Sequence, residues 1–256
     1  MSDTFYVGYL DPPKATARRM KRIALAIVVA AGAAAVALAI ATGPFDRASY
    51  DYAKETVWQG KLEAAPVPVL IATTFPVAGS PLYKIERFPL VAQGKRGAGP
   101  SIDGLGGLTV RLTARRIARG GTTMLELVPG TIERFEPKLP ADGTPAPASK
   151  IEDLGQQTFS GEIVDSKCFL GVMNPGHLEV HRACAIRCIA GGIPPMLFVR
   201  EPDGREAHLL LVDANGQPLN DRVLDFVARP VTISGRLERR DTLHYLYANG
   251  DILLFP

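Results

Sequence analysis

The stretch VRLTARRIARGGTTMLELVPGTI, residues 110–132, decides the fold, because it recurs in altered form as VTISGRLERRDTLHYLYANGDI at residues 231–252. In each copy an alternating strand runs into a tight turn and a second alternating strand, which is the pattern of a β-hairpin. Val110 aligns with Val231, Leu112 with Ile233 and Arg115 with Arg236, and Gly130 with Ile132 falls on Gly250 with Ile252. Upstream, the strand start Gly60-Lys61-Leu62 matches Gly161-Glu162-Ile163. Several such strands within about 80 to 100 residues make a small closed barrel of the OB kind, and a duplication explains two of them in one chain. The expected fold is mostly β: one N-terminal transmembrane helix followed by two small OB-like β-barrel domains, the second with an inserted Cys/His helix.

Working outward, the segment PKLPADGTPAPASK at 137–150 places four prolines within eleven residues and keeps no apolar periodicity, so it reads as a linker. It separates a first domain, 55–136, from a second, 151–256. The glycine-rich run Gly94-Lys95-Arg96-Gly97-Ala98-Gly99 has neither the order nor the following helix of a phosphate-binding loop, and it reads as a mobile surface loop. Trp58 and Tyr83 read as core or barrel-mouth residues.

Composition limits the function classes. With 46% hydrophobic and 21% charged residues over 256 positions, the chain is globular rather than disordered. Three cysteines are too few for a disulfide framework. The net charge of +3 resides entirely in residues 1–42, and the remaining 214 residues carry equal numbers of cations and anions. No basic footprint for nucleic acid exists, and no nucleotide-binding loop is present.

The run IALAIVVAAGAAAVALAIAT, residues 23–42, holds no charge, and at about 1.5 Å per helical residue it spans the roughly 30 Å of bilayer hydrocarbon. Lys14, Arg18, Arg19, Lys21 and Arg22 immediately precede it. The positive-inside rule then retains residues 1–22 as a cytoplasmic tail. The expected location is the bacterial inner membrane, single-pass, with the C-terminal domains in the periplasm; a cleaved signal peptide is the competing reading. The aromatic leader Phe5-Tyr6-Val7-Gly8-Tyr9-Leu10 reads as a segment docking on a membrane subunit or lying in the interface.

The concentrated chemistry lies in residues 161–195, which contain all three cysteines. Asn174-Pro175 reads as a helix start and Gly191 with Pro194-Pro195 as its stop, predicting a helix over about 175–190. On such a helix His177, His181, Cys184 and Cys188 share one stripe. One ion cannot bridge the whole stripe, so the candidate metal ligands are Cys168, His181, Cys184 and Cys188, with His177 as an additional donor. Thiolate with imidazole suits copper, zinc or iron. The alternative is a disulfide from Cys168 to Cys184 or Cys188, because two cysteines one turn apart on a helix pair poorly with each other. Asp165 and Lys167, flanking Cys168, read as surface charges at a strand end or else as groups that tune a thiolate or position a ligand, and His208 and His244 read as surface or partly buried strand histidines, either of which could fold over the helix stripe.

Taken together, Gly161, Asp165, Lys167, Cys168, His181, Cys184, Ala185, Cys188, Gly191, Pro194 and Gly235 match a pattern GxxxDxKC, then HxxCAxxC, then Gly and Pro, then a strand-rich tail. Over residues 158–254 the chain resembles a group of exported, membrane-anchored bacterial β-rich proteins. That resemblance implies an exported β domain and carries no established activity. No acid/base pair or nucleophile triad appears, so a non-enzymatic role is expected. The leading expectation is an accessory or structural subunit of a membrane redox complex, in contact with the lipid bilayer. The alternative is a thiol-disulfide or metal-transfer protein using Cys184 and Cys188.

Overall fold

The duplicated hairpins are realised as two rings of strands with one pairing order. In the first, β1 (Ala48–Glu63), β2 (Val69–Thr74), β3 (Lys84–Val91), β4 (Thr109–Arg119) and β5 (Thr122–Leu127) pair as β1-β2-β3-β5-β4, and β4 returns to β1. A short β6 (Glu133–Arg134) continues the line of β5 beyond Pro129-Gly130. In the second, β7 (Ile151–Asp165), β8 (Pro195–Arg200), β9 (Glu206–Asp213), β10 (Pro230–Arg240) and β11 (Leu243–Leu254) close a barrel in the same order. In both rings the third and fifth strands run parallel and every other ring neighbour antiparallel. The computed structural model describes residues 13–42, 48–74, 84–136 and 148–254; the leader 5–10, Tyr83 and most of the proline-rich linker fall outside them.

The equivalence extends to single residues. Gly60 lies opposite Val110, and Gly161 opposite Val231. A Cβ on Gly60 would sit 2.3 Å from the Ile71 carbonyl oxygen, and one on Gly161 2.3 Å from that of Phe198. At these points the long first strand of each ring presses against its other neighbour, and only glycine leaves room for that backbone.

The N-terminal helix α1 (Lys14–Thr42) is long and apolar enough to cross a membrane. It forms one unit, and residues 47–256 form another.

Within the second unit each barrel has its own core. Leu62, Leu90 and Leu112 pack in the first, and Ile163, Leu209 and Ile233 in the second. A third cluster bridges them, joining Val69, Ile117 and Met124 to Phe169, Met196, Phe198 and Tyr245. Charged side chains close the seam around it. The buried Arg87 of β3 donates to Glu63 Oε2 and to Asp241 Oδ2, each at 2.8 Å, and to Ser149 Oγ at 3.0 Å. Arg240 reaches Glu63 Oε1 at 2.9 Å. Arg119 of β4 lies 4.2 Å over the Phe169 ring.

Arg87 therefore clamps the barrels together through charges that depend on one another. Burial alone would raise the Asp241 carboxyl, but Ser149, the Lys150 N–H and Arg87 outweigh it and hold it below 3.8. A carboxyl with a depressed folded value stabilises the protein above its ordinary pKa and loses that contribution as the pH falls. Arg87→Met should cost roughly 3 to 5 kcal/mol, the range for breaking a buried ion pair. Thermal denaturation at pH 7 should show this loss, and the gap between parent and variant should narrow below about pH 4.

Candidate functional site

The site begins where β7 ends. Asp165 is fully buried, and its Oδ1 accepts the backbone N–H of Cys168 at 2.8 Å. This bond starts a tight turn over Cys168–Val172, which the Met173 N–H closes onto the Cys168 carbonyl at 3.1 Å. The other carboxylate oxygen of Asp165 lies 3.0 Å from His181 Nε2, also buried. A buried carboxylate needs such partners, since each unmatched lone pair would carry a desolvation cost.

The chain then departs from the helix expected over 175–190. Gly176 packs so closely on the turn that a Cβ there would lie 2.6 Å from the Cys168 oxygen. Leu178 adopts φ 68° and ψ 171°, a conformation essentially confined to glycine. The helix α2 (Arg182–Ala190) consequently starts at Arg182, after a short 3₁₀ turn at Glu179–His181. The Asn174-Pro175 peptide is cis and precedes it in the loop.

The four-residue stripe is accordingly not formed, and only Cys184 and Cys188 lie on α2. His177 sits in the loop, with its ring centroid 6.0 Å from that of Phe169 and its Nδ1 3.8 Å from Glu162 Oε2, so it is no part of the thiol group. The turn at the end of β7 supplies the third sulfur, and the Sγ atoms of Cys168, Cys184 and Cys188 all lie within 4.8 Å of one another. All three are free thiols, so neither disulfide considered for Cys168 is formed. His181 joins a second group with Asp165 and Cys168; it borders the sulfur cluster through Cys168 alone.

Asp165 and Lys167 are corrected from surface charges to buried groups. Lys167 Nζ donates to the carbonyls of Ala92 at 2.9 Å and Gly94 at 2.8 Å and pairs with Glu126. Glu126 in turn accepts the Tyr50 hydroxyl at 2.6 Å and Arg115 at 3.3 Å. The glycine-rich loop is likewise no free surface loop. Its Gly97 N–H donates to the Gly191 carbonyl at 2.9 Å, and a Cβ on Gly191 would fall 1.9 Å from the Lys95 oxygen. This contact delivers Lys95 from the first barrel, its Nζ 2.6 Å from Cys184 Sγ and 3.7 Å from Cys188 Sγ.

The thiols are thereby made unequal. A hydrogen bond from Cys168 outweighs burial at Cys188, and with Lys95 nearby the Cys188 thiol is lowered to about 7. The same bond, together with burial and the Asp165 charge, pushes Cys168 strongly upward. Cys168 is the donor of the pair and Cys188 the thiolate. The cluster forms the wall of an opening of about 450 Å³ between the barrels, whose other walls include Tyr50, Tyr52, Arg115 and Met173.

His208 and His244 stay outside the sulfur group. His208 Nδ1 lies 2.9 Å from Thr122 Oγ1 across the seam, and burial lowers His244. Lys95, Glu126 and Tyr50 escaped the sequence reading. Lys95 lay in a visible glycine-rich run, but its partner is 89 residues away.

Comparison with known proteins finds no matching family model, no similar curated protein and no similar solved structure.

Lys95 stabilises negative charge on sulfur. In the metal-free, reduced protein the Cys188 thiolate transition, followed by ultraviolet absorbance, should lie near pH 7, and Lys95→Met should move it part of the way upward, since the hydrogen bond from Cys168 remains.

Proposed function

We propose that the chain is a membrane-anchored accessory subunit of a membrane redox assembly, whose paired barrels hold one soft transition-metal ion, best suited to monovalent copper, on Cys168, Cys184 and Cys188. The observation that carries this reading is the convergence of three free sulfurs within 4.8 Å. Three sulfurs each about 2.3 Å from one ion in a plane stand roughly 4 Å apart, so small side-chain rotations suffice. Thiolate ligands select Cu(I), zinc and iron–sulfur centres over hard cations. The grouping is three-fold, with no fourth donor joining all three sulfurs among the described residues, and a trigonal thiolate set suits Cu(I) better than tetrahedral zinc.

The topology supports the same reading. The five cations before the apolar helix favour a cytoplasmic N-terminus in a bacterial inner membrane and barrels in the periplasm. In that oxidising compartment three adjacent thiols would be oxidised unless a metal held them.

A second reading, thiol-disulfide exchange or copper transfer through Cys184 and Cys188, is favoured by one observation: Cys184 is half-buried at the opening with Lys95 against its sulfur.

Full-length protein in detergent, loaded with Cu(I) under reducing conditions and desalted, should retain one copper per chain. Cys184→Ser and Cys188→Ser should each lose affinity by at least about 100-fold against a Cu(I) chelator, while His177→Ala should retain it. A parent protein that keeps no metal and reduces a peptide disulfide, with that rate lost in Cys184→Ser, would overturn the metal reading and establish the second.

A further inference from the structure

We propose that Met173 is the ligand that first captures the incoming ion and passes it to the three thiols; this rests on the copper reading above. Three features of the structure converge on this residue. Met173 lines the same 450 Å³ opening as Cys168, Cys184 and Cys188, and it supplies the one thioether on that wall. It is 45% exposed, whereas Met124 and Met196, the other methionines described in the barrel unit, are buried in the shared core. Exposing an apolar side chain of this size forfeits the stabilisation its burial would bring. Its backbone N–H is tied to the Cys168 carbonyl at 3.1 Å, so the thioether is carried on the turn that holds the first sulfur.

A thioether meets the requirements of that position. It is a soft ligand selective for Cu(I) and binds without losing a proton. Behind it the burial order is half-buried Cys184, then buried Cys188 and Cys168. Transfer is ligand exchange with no change of oxidation state. A bond from copper to the Met173 sulfur forms as a ligand of the weak Cu(I) chelate that delivers the ion leaves. It breaks as thiolates take the ion, and each thiol that was protonated releases its proton to water.

Met173→Leu keeps the volume and removes the sulfur, so it tests the role without disturbing the fold. Cu(I) uptake by the full-length protein from a weak Cu(I) chelate should be followed by the ultraviolet copper–thiolate band in stopped flow. The variant should take up copper at least about ten-fold more slowly, with equilibrium affinity within about three-fold of the parent. Equal uptake rates in parent and variant would overturn the capture role while leaving the thiol site standing. A variant that loses equilibrium affinity as well would make Met173 a permanent ligand and overturn transit. If the parent itself takes up no Cu(I), the metal site fails and this proposal with it.

Discussion

The site depends on the docking of one barrel against the other. The sulfurs belong to the second barrel, on the turn after β7 and on α2. The first barrel supplies Lys95, Arg115 and Glu126. Contact at the seam is backbone on backbone: a side-chain carbon on Gly97 would lie 2.1 Å from the Gly192 oxygen, and one on Gly171 would lie 2.4 Å from that of Ser49. Such contacts tolerate almost no displacement. The Arg87 clamp and the shared apolar cluster around Phe169 hold the register in which Lys95 meets Cys184. A chain that duplicated a barrel has thus used the second copy for ligands and the first for their electrostatic surroundings.

How far this could be read from the sequence follows the range of the interactions. The alternation in 110–119 and 231–240 is local, and β4 and β10 start and end in the alignment made from sequence, with Val110 and Val231 opposite Gly60 and Gly161. The apolar run at 23–42 carries its own signal, and α1 contains it. The start of α2 was not legible, because Asn174-Pro175 has the local marks of a helix start. Tertiary packing of Gly176 on Cys168, and the strained conformation at Leu178, decide otherwise. Asp165 and Lys167 looked like strand-end charges because their partners, His181, Glu126 and the carbonyls of 92 and 94, lie far along the chain. The clustering of all three cysteines in 161–195 was visible and His181 was named with them, but that His181 reaches Asp165 and borders the sulfurs through Cys168 alone was not.

Chemically the arrangement is consistent across its parts. A buried carboxylate, Asp165, fixes the backbone of the first cysteine while opposing charge on its sulfur. A lysine from the facing barrel favours charge on Cys188, and its ammonium lies against the Cys184 sulfur. The thiols therefore differ in readiness, which suits stepwise acquisition of a metal better than a preassembled closed site. Burial of Cys168 and Cys188, with Cys184 at the opening, gives that sequence a direction.

X-ray absorption at the copper edge, on full-length protein loaded with Cu(I) in detergent, tests the central claim most directly. The account predicts a Cu(I) edge with a single shell of about three sulfurs near 2.3 Å. A first shell dominated by nitrogen or oxygen, or a two-sulfur linear centre, would contradict it.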